Sequence, residues 1–248
     1  METKVKSLDK ALRILRSFTL EEPELGISDI SRRLELSKSN VYNIISTMEQ
    51  NSFIEKNEAT GKYRLGLEAL QLSHVVLFSR GYQGIIRRCV QELSEAAQCT
   101  ACFGVIYDDT VMCIENASFD GLFDVERETG TTVPLTCTDL GKAILAFSTD
   151  VLVNRVLSKP IKQFTPDTIT DPDLLRAELM ITRQRGYSMD HMEYKEGLKG
   201  LGVPVLNRAD ELIGALSLSG VSSLFYEDTL ESFIILLKSK ATYIRNSL

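Results

Sequence analysis

Residues 28–50, SDISRRLELSKSNVYNIISTMEQ, constrain the fold of this chain more than any other stretch. They read as two short helices joined by a tight turn. Ser28 is placed to cap the first, whose Ile30 and Leu34 lie four apart on one face. Leu36 falls in the turn, and Ser37 is placed to cap the second helix. There Val41, Ile44, Ile45 and Met48 recur at i, i+3, i+4 and i+7, the pattern of a helix buried along one side. The opposite side carries Lys38, Ser39, Asn40, Tyr42, Asn43 and Ser46. Their hydrogen-bonding groups have the length that reaches phosphates and base edges when a helix N-terminus enters a major groove. The pair therefore reads as a helix-turn-helix with its recognition helix second.

The flanks separate this reading from the blander one, two amphipathic helices with a solvated polar face. Upstream, Leu8, Ala11, Leu12, Leu15 and Phe18 form an apolar stripe on a helix that Ser7 would cap, supplying a third member for a trihelical core. Downstream, FIEKN (53–57) and KYRLG (62–66) alternate as strands around the turn Glu58-Ala59-Thr60-Gly61. Lys56, Lys62 and Arg64 sit near the tip or edges of that hairpin, as in a wing that tracks a DNA backbone. Helix, helix-turn-helix and basic hairpin in this order predict a winged helix-turn-helix over 1–66.

Charge would not have revealed it. Residues 1–66 hold 11 Lys/Arg and 10 Asp/Glu, net +1, whereas residues 67–248 hold 17 and 24, net −7, so the whole chain carries −6. An acidic body repels phosphate, which confines nucleic-acid binding to a local surface of the head. The 248 residues suit one large domain or two ordinary ones. No apolar run approaches the roughly 20 residues that span a bilayer, and METKVKSLDK lacks the apolar core of a signal peptide. Cys89, Cys99, Cys102, Cys113 and Cys137 are an odd number without a secretory signal, so they read as reduced thiols of a cytoplasmic protein. Cys99-x-x-Cys102 suggests zinc or redox chemistry, but on a strand its two thiols face opposite sides, and the motif is not repeated.

Beyond the wing, LEALQLSHVVLFSRG (67–81) reads as a linker helix, 67–82, leading to a second domain, 83–248. Its Leu70, Val75, Leu77 and Phe78 suit either a dimer contact or packing on the same chain. GIIRRCVQELSEAAQ (84–98) is an amphipathic helix, and TACFGVIY, VMCIEN and FDVERE follow as strands, parted by turns at Asp108-Asp109 and Asp120-Gly121. DLGKAILAF, DVLVNRVLS and DPDLLRAELMITRQRG read as helices, the last stopped by Gly186. LGVPVLN (201–207) and ELIGALSLSG (211–220) are strands hinged at 208–210, and a terminal helix starts near Tyr226. Antiparallel strands with flanking helices make this an α+β domain around one curved sheet.

At this point the chain resembles the IclR-type family of bacterial transcriptional regulators over essentially its whole length. The resemblance rests on VKSLDKALRILRSF, SKSNVYNIISTMEQNSFIE, GKYRLG, TDLGKAILAF, RGYSMDHMEYKEGLKGLGVPVLN and ELIGALSLSG, in that order. It implies a winged head, a linker helix, a GAF-like effector-binding domain, and dimers that commonly pair into tetramers. It implies a double-stranded, near-palindromic operator as partner and a small anionic metabolite as effector, with no cofactor. Two positions depart from the family habit. Asn43 stands where arginine is frequent, and Asn favours adenine where Arg favours guanine. Gly200, Leu201 and Gly202 precede Val203-Pro204 where Cys and Ala are common, which suggests a roomier pocket floor or a backbone closer to the ligand.

DNA contact is expected from Ser28, Ser37, Lys38, Ser39, Asn40, Tyr42, Asn43 and Lys62. For the effector, Ser217 and Ser219 lie two apart on a strand, so both hydroxyls share a face and can donate to one carboxylate. Thr138 and the amides of Asp139, Leu140 and Gly141 open a helix where the dipole favours an anion. The family pattern adds Asp190 and Glu193 across the pocket and Leu198 and Gly200 in its floor. Lys142 is expected to turn away from the cap, leaving a small hydroxylated or keto acid held by neutral donors. His191 beside Asp190 and Glu193 is the place to look for a metal, and none is expected. With only His74 and His191, and no GxSxG elbow or phosphate loop, the chain reads as a regulator and not an enzyme. The alternative is a metabolite-binding module, or an enzyme acting on a small organic acid.

Overall fold

A computed structural model describes residues 5–79, 83–119 and 128–248 of the chain, which divides into two compact units, Met1–Arg80 and Gly81–Leu248. The first contains α1 (Lys6–Leu15), α2 (Ile27–Leu34), α3 (Lys38–Gln50), a hairpin of β1 (Ile54–Lys56) and β2 (Tyr63–Leu65), and α4 (Glu68–Ser79). Its core joins Ile14 and Phe18 to Leu25, Ile30, Val41, Ile45, Met48, Ile54 and Tyr63. The stripe read on α3 is the one that buries.

The stripe on α1 does so only in part. Ala11 and Leu15 turn in together with Ile14, and Phe18 follows just past the end of the helix, while Leu8 and Leu12 are 56% and 46% exposed. Periodicity does not say which edge of a broad apolar stripe the partner helices cover. Both expected serine caps also fall one or two residues inside their helices. Val5 stands at the N-cap of α1 and Gly26 at that of α2. The first turn of α2 is held from within, where the Asp29 carboxylate accepts the Gly26 N–H at 3.3 Å. Ser37 does cap α3, accepting the Asn40 N–H at 3.4 Å. Between α2 and α3 the chain reverses through Glu35 in the left-handed region (φ 57°), and Ser31 Oγ donates to the Leu36 carbonyl at 2.5 Å. The wing gains a single β-bridge not anticipated from sequence: Leu25 and Tyr63 exchange backbone hydrogen bonds of 2.9 Å each. Its tip is tied down by Glu24, which accepts from Asn57 Nδ2 at 2.7 Å and Thr60 Oγ1 at 2.9 Å. Those two hydrogen bonds hold the Glu24 carboxyl below the usual range.

The second unit runs α5 (Gln83–Ala97), β3 (Thr100–Tyr107), β4 (Thr110–Ala117), β5 (Thr132–Pro134), α6 (Asp139–Ala146), α7 (Asp150–Leu157) and α8 (Pro172–Arg185). It continues with β6 (Ser188–His191), β7 (Leu198–Leu206), β8 (Leu212–Val221) and α9 (Glu227–Ser247). Its strands form one sheet in the order β5-β4-β3-β8-β7-β6, every pairing antiparallel. Alternation sends Ala101, Phe103 and Val105 of β3 and Leu216 and Leu218 of β8 into one core with α5 and α9. Cys102 and Ala215 point the other way, toward α6, α7 and α8. The two sides of Cys99-x-x-Cys102 therefore part as expected, one thiol in each core, and all five cysteines are buried. α8 begins with Asp171 accepting the Asp173 and Leu174 N–H groups and ends at Gly186 (φ 76°).

The expected strand FDVERE, apart from Glu128, and the Asp120-Gly121 turn lie outside the described residues. β5 and β6 are additions; at three and four residues each they are too short to show a period. No helix among the described residues is long and apolar enough to cross a membrane.

Candidate functional site

Two sets of predicted residues can be located, one in each unit. In the first, the N-terminal half of α3 presents Lys38, Ser39, Tyr42 and Asn43 outward, with Asn40 half-buried beside the Ser37 cap. Val41 and Ile45 anchor the opposite face in the core, so the polar side chains stand on a rigid base. The hairpin is less basic in effect than in composition. Arg64 is paired with Glu55 at 2.5 Å and Lys56 with Glu58 at 3.5 Å, while Lys62 is exposed and in neither pair. Ser28, inside α2, is exposed.

In the second unit the expected effector residues do come together, on the sheet face that α6 covers. Cross-strand pairing sets Ser217 opposite both Cys102 and Gly202, and Ser219 opposite Gly200, which in turn faces Asp190 of β6. Directly opposed residues share a face, so Ser188, Asp190, Gly200, Gly202, Ser217 and Ser219 line one patch. Leu198 lies two residues further along β7 on the same face. Asp139, Asp190, Glu193, Ser188, Ser217 and Ser219 are all buried.

The start of α6 is pressed onto this patch. Thr138 caps it, its Oγ1 accepting the Gly141 N–H at 3.0 Å and donating to the Pro134 carbonyl at 2.7 Å. Gly141 permits the approach: a Cβ there would stand 2.4 Å from the Pro134 oxygen and 2.5 Å from the Leu135 oxygen. Gly141→Ala is accordingly expected to lower stability by about 1–3 kcal/mol, read as a lower urea midpoint with an unchanged slope.

The glycines of β7 do not leave a roomy floor. A Cβ at Gly200 would lie 1.8 Å from Oδ2 of Asp139, and one at Gly202 would lie 2.4 Å from the Asp139 carbonyl oxygen. The space is filled by Asp139, whose Oδ2 accepts the Ser219 hydroxyl at 2.5 Å and whose Oδ1 accepts the Leu140 N–H at 2.5 Å. Its carbonyl accepts from Ser188 Oγ, also at 2.5 Å. The donors of the expected anion site thus have partners within the chain. The Ser219 hydroxyl and the Leu140 and Gly141 amides, assigned to a ligand's carboxylate, are engaged by the chain's own oxygens.

Lys142 is a correction. It is buried and its Nζ pairs with Glu193 Oε1, so it turns into the patch rather than away. The spacing held the signal: Lys142 is three residues from Asp139 and shares its face of α6. Glu193 is fixed from several sides. Its N–H donates to Asp190 Oδ1 at 2.8 Å, and its carbonyl accepts from Thr168 Oγ1 at 2.6 Å and Thr165 Oγ1 at 3.2 Å. These threonines belong to the 159–172 connection, to which sequence gave no role. Burial pushes the Glu193 carboxyl up, against the pull of Lys142. Burial also raises the neighbouring Cys137 thiol, to about 12, and the nearby Asp190 and Glu193 add to the rise. His191 points out of the opposite side of β6 from Asp190, and no metal-binding cluster of His, Cys, Asp and Glu occurs among the described residues.

Comparison with known proteins agrees with both units. Residues 7–58 match the IclR helix-turn-helix domain, and residues 76–246 match the bacterial transcriptional regulator IclR C-terminal domain. The chain belongs to the IclR family of transcriptional regulators. It is 30% identical over 230 residues to the HTH-type transcriptional regulator XynR of Escherichia coli K12, covering 92% of this chain and 91% of that one. It is also 30% identical over 220 residues to the glycerol operon regulatory protein of Streptomyces coelicolor, covering 89% and 86%. The crystal structure of the Thermotoga maritima IclR superposes with a TM-score of 0.78 at 26% identity, covering 98% of each chain. The chain is thus a DNA-binding regulator with a GAF-like effector-binding domain, and the family is not enzymatic.

Proposed function

We propose that this chain is a cytoplasmic repressor of a metabolic operon, released from or locked onto its operator by a small hydroxylated metabolite bound on the α6 face of the sheet. The observation that carries the reading is the buried polar patch of Asp139, Lys142, Asp190, Glu193, Ser217 and Ser219 in a chain whose head exposes the polar N-terminal half of α3. A packed domain sequesters so many ionisable groups at a cost that a binding role explains. The operon named for the Streptomyces relative is of the kind proposed here as a target. Lys38, Ser39, Asn40, Tyr42 and Asn43 are the proposed operator contacts, with Ser37 fixing the helix start and Lys62 reaching phosphate.

A ligand shifts DNA binding only if it favours one state of the chain over the other. The test is operator affinity, by fluorescence anisotropy, with and without each metabolite that raises the melting temperature of the full chain. A stabilising ligand that changes affinity supports gating. A stabilising ligand that leaves affinity untouched, or that is converted to product, overturns it.

The operator reading also requires more than one head, because a single α3 reads only one half-site. Leu67, Leu70, Leu72, Val75 and Val76 in and beside α4 are exposed, apolar side chains spread around the helix that a second copy would cover. Sedimentation is expected to give twice or four times the chain mass; a monomer at micromolar concentration that binds its operator tightly would contradict this.

A further inference from the structure

The carboxylate of Asp139 takes donors that were expected to hold a bound acid. It takes the Ser219 hydroxyl and the Leu140 amide at 2.5 Å each, and it lies where any side chain at 200 would have to go. Two further carboxyls, Asp190 and Glu193, are buried on the same patch, and Lys142 is the only buried cation among the described residues. That cation is already paired with Glu193 Oε1. The other oxygen, Oε2, is buried with no hydrogen-bond partner among the described residues, in a side chain whose residue is 3% exposed. A buried acceptor left unmet costs the desolvation of that atom, and a hydroxyl donor supplied by a ligand removes the cost. An incoming carboxylate offers no donor. It would have to expel Asp139 from two hydrogen bonds and then remain among three acids at low dielectric.

We propose that Asp139 is an internal carboxylate that closes the anion position of this site, so that the pocket selects uncharged, hydroxyl-rich ligands, polyols or sugars, whose O–H groups donate to Glu193 and Asp190. The proposal rests on the reading of this patch as the effector site. It makes Asp139 the residue that sets ligand class, and it turns the departure at Gly200 from a gain of room into the cradle for that side chain.

The experiment uses the full chain and two families of probe. Acetate and pyruvate should give the wild type no saturable thermal shift, whereas Asp139→Ala, with the Ser219 donor released, should gain a saturable rise of several degrees with acetate. Adding Ser219→Ala to that variant should abolish the gain. In the wild type, glycerol and xylose should outrank both acids. Gly200→Ala supplies a test that does not empty the position. Its Cβ collides with Asp139, so it should lower the melting temperature of the wild type but have much less effect in the Asp139→Ala background, a coupling that distant sites do not show. A wild type that binds acetate or pyruvate as well as Asp139→Ala does overturns the proposal. So does an Asp139→Ala variant that folds and gains nothing, or a harmless Gly200→Ala. Operator affinity of Asp139→Ala with acetate keeps the two readings apart. Acetate binding that alters affinity supports both, while binding that leaves affinity unchanged keeps Asp139 as the selector and overturns the patch as an effector site.

Discussion

Lys142→Met is expected to destabilise the chain by about 3–5 kcal/mol, the cost of breaking a buried ion pair by removing one partner. The Lys142 and Glu193 side chains are 1% and 4% exposed, so solvent does not replace the lost ammonium. One oxygen of Glu193 has no hydrogen-bond partner among the described residues, and the variant would leave its carboxylate without the opposite charge of Lys142. The loss should depend on pH in a defined direction. Burial places the folded-state pKa of Glu193 above the ordinary 4.5, and Lys142 opposes that rise. Without Lys142 the rise is larger. A carboxyl whose pKa is higher folded than unfolded binds its proton more tightly in the folded state, so stability increases as pH falls from that raised value toward 4.5. The deficit of Lys142→Met should therefore be greatest at neutral pH and shrink on acidification through that window. Urea unfolding at a series of pH values reads it directly. A double variant with Glu193→Leu should recover part of the loss, because an apolar pair no longer holds a lone charge. If Lys142→Met proves as stable as the wild type at pH 7, the buried pair does not exist as described.

The recognition of this pair shows where sequence reading stops. α3 was legible because its four apolar residues fit one helical face and Ser37 stands at the start of it. The alternation of β8 placed Ser217 and Ser219 together for the same local reason. On α1 only the edge of the stripe differs from expectation, because the partner helices decide whether Leu8 and Leu12 or Ile14 is covered. Asp139 was noticed for its amide, as part of a helix start, while its carboxylate was overlooked. The residue that receives it is Gly200, on a strand 61 positions later in the chain, and that adjacency exists only once β7 and α6 are packed. The Lys142–Glu193 pair depends on the same packing. Local period and capping chemistry are written in the sequence; which charges meet across the sheet is not.

Asn43→Ala carries the second large effect, on DNA. Asn43 is exposed on α3 two residues beyond Val41, which holds the opposite face of the helix against the core. A carboxamide can both donate to and accept from an adenine edge, and a base contact of that kind contributes about 1–3 kcal/mol of discrimination. Removing it should weaken specific binding by that amount and leave non-specific binding almost unchanged. The slope of affinity against salt should also stay the same, since Asn43 neutralises no phosphate. Lys62→Ala should do the reverse, weakening all sequences alike and lowering the salt slope by about one unit. Equal losses of Asn43→Ala on specific and random duplexes would remove Asn43 from the base-reading set.

The central claim is sequence-specific binding by paired heads, and selection from a library of random duplexes tests it most directly. The full chain is expected to enrich a near-palindrome with half-sites spaced by about one helical turn or a multiple of it. It should bind the enriched duplex at least about a thousandfold more tightly than random DNA at the same salt concentration. No enrichment, or an enriched single half-site bound as tightly as the repeat, would contradict the account.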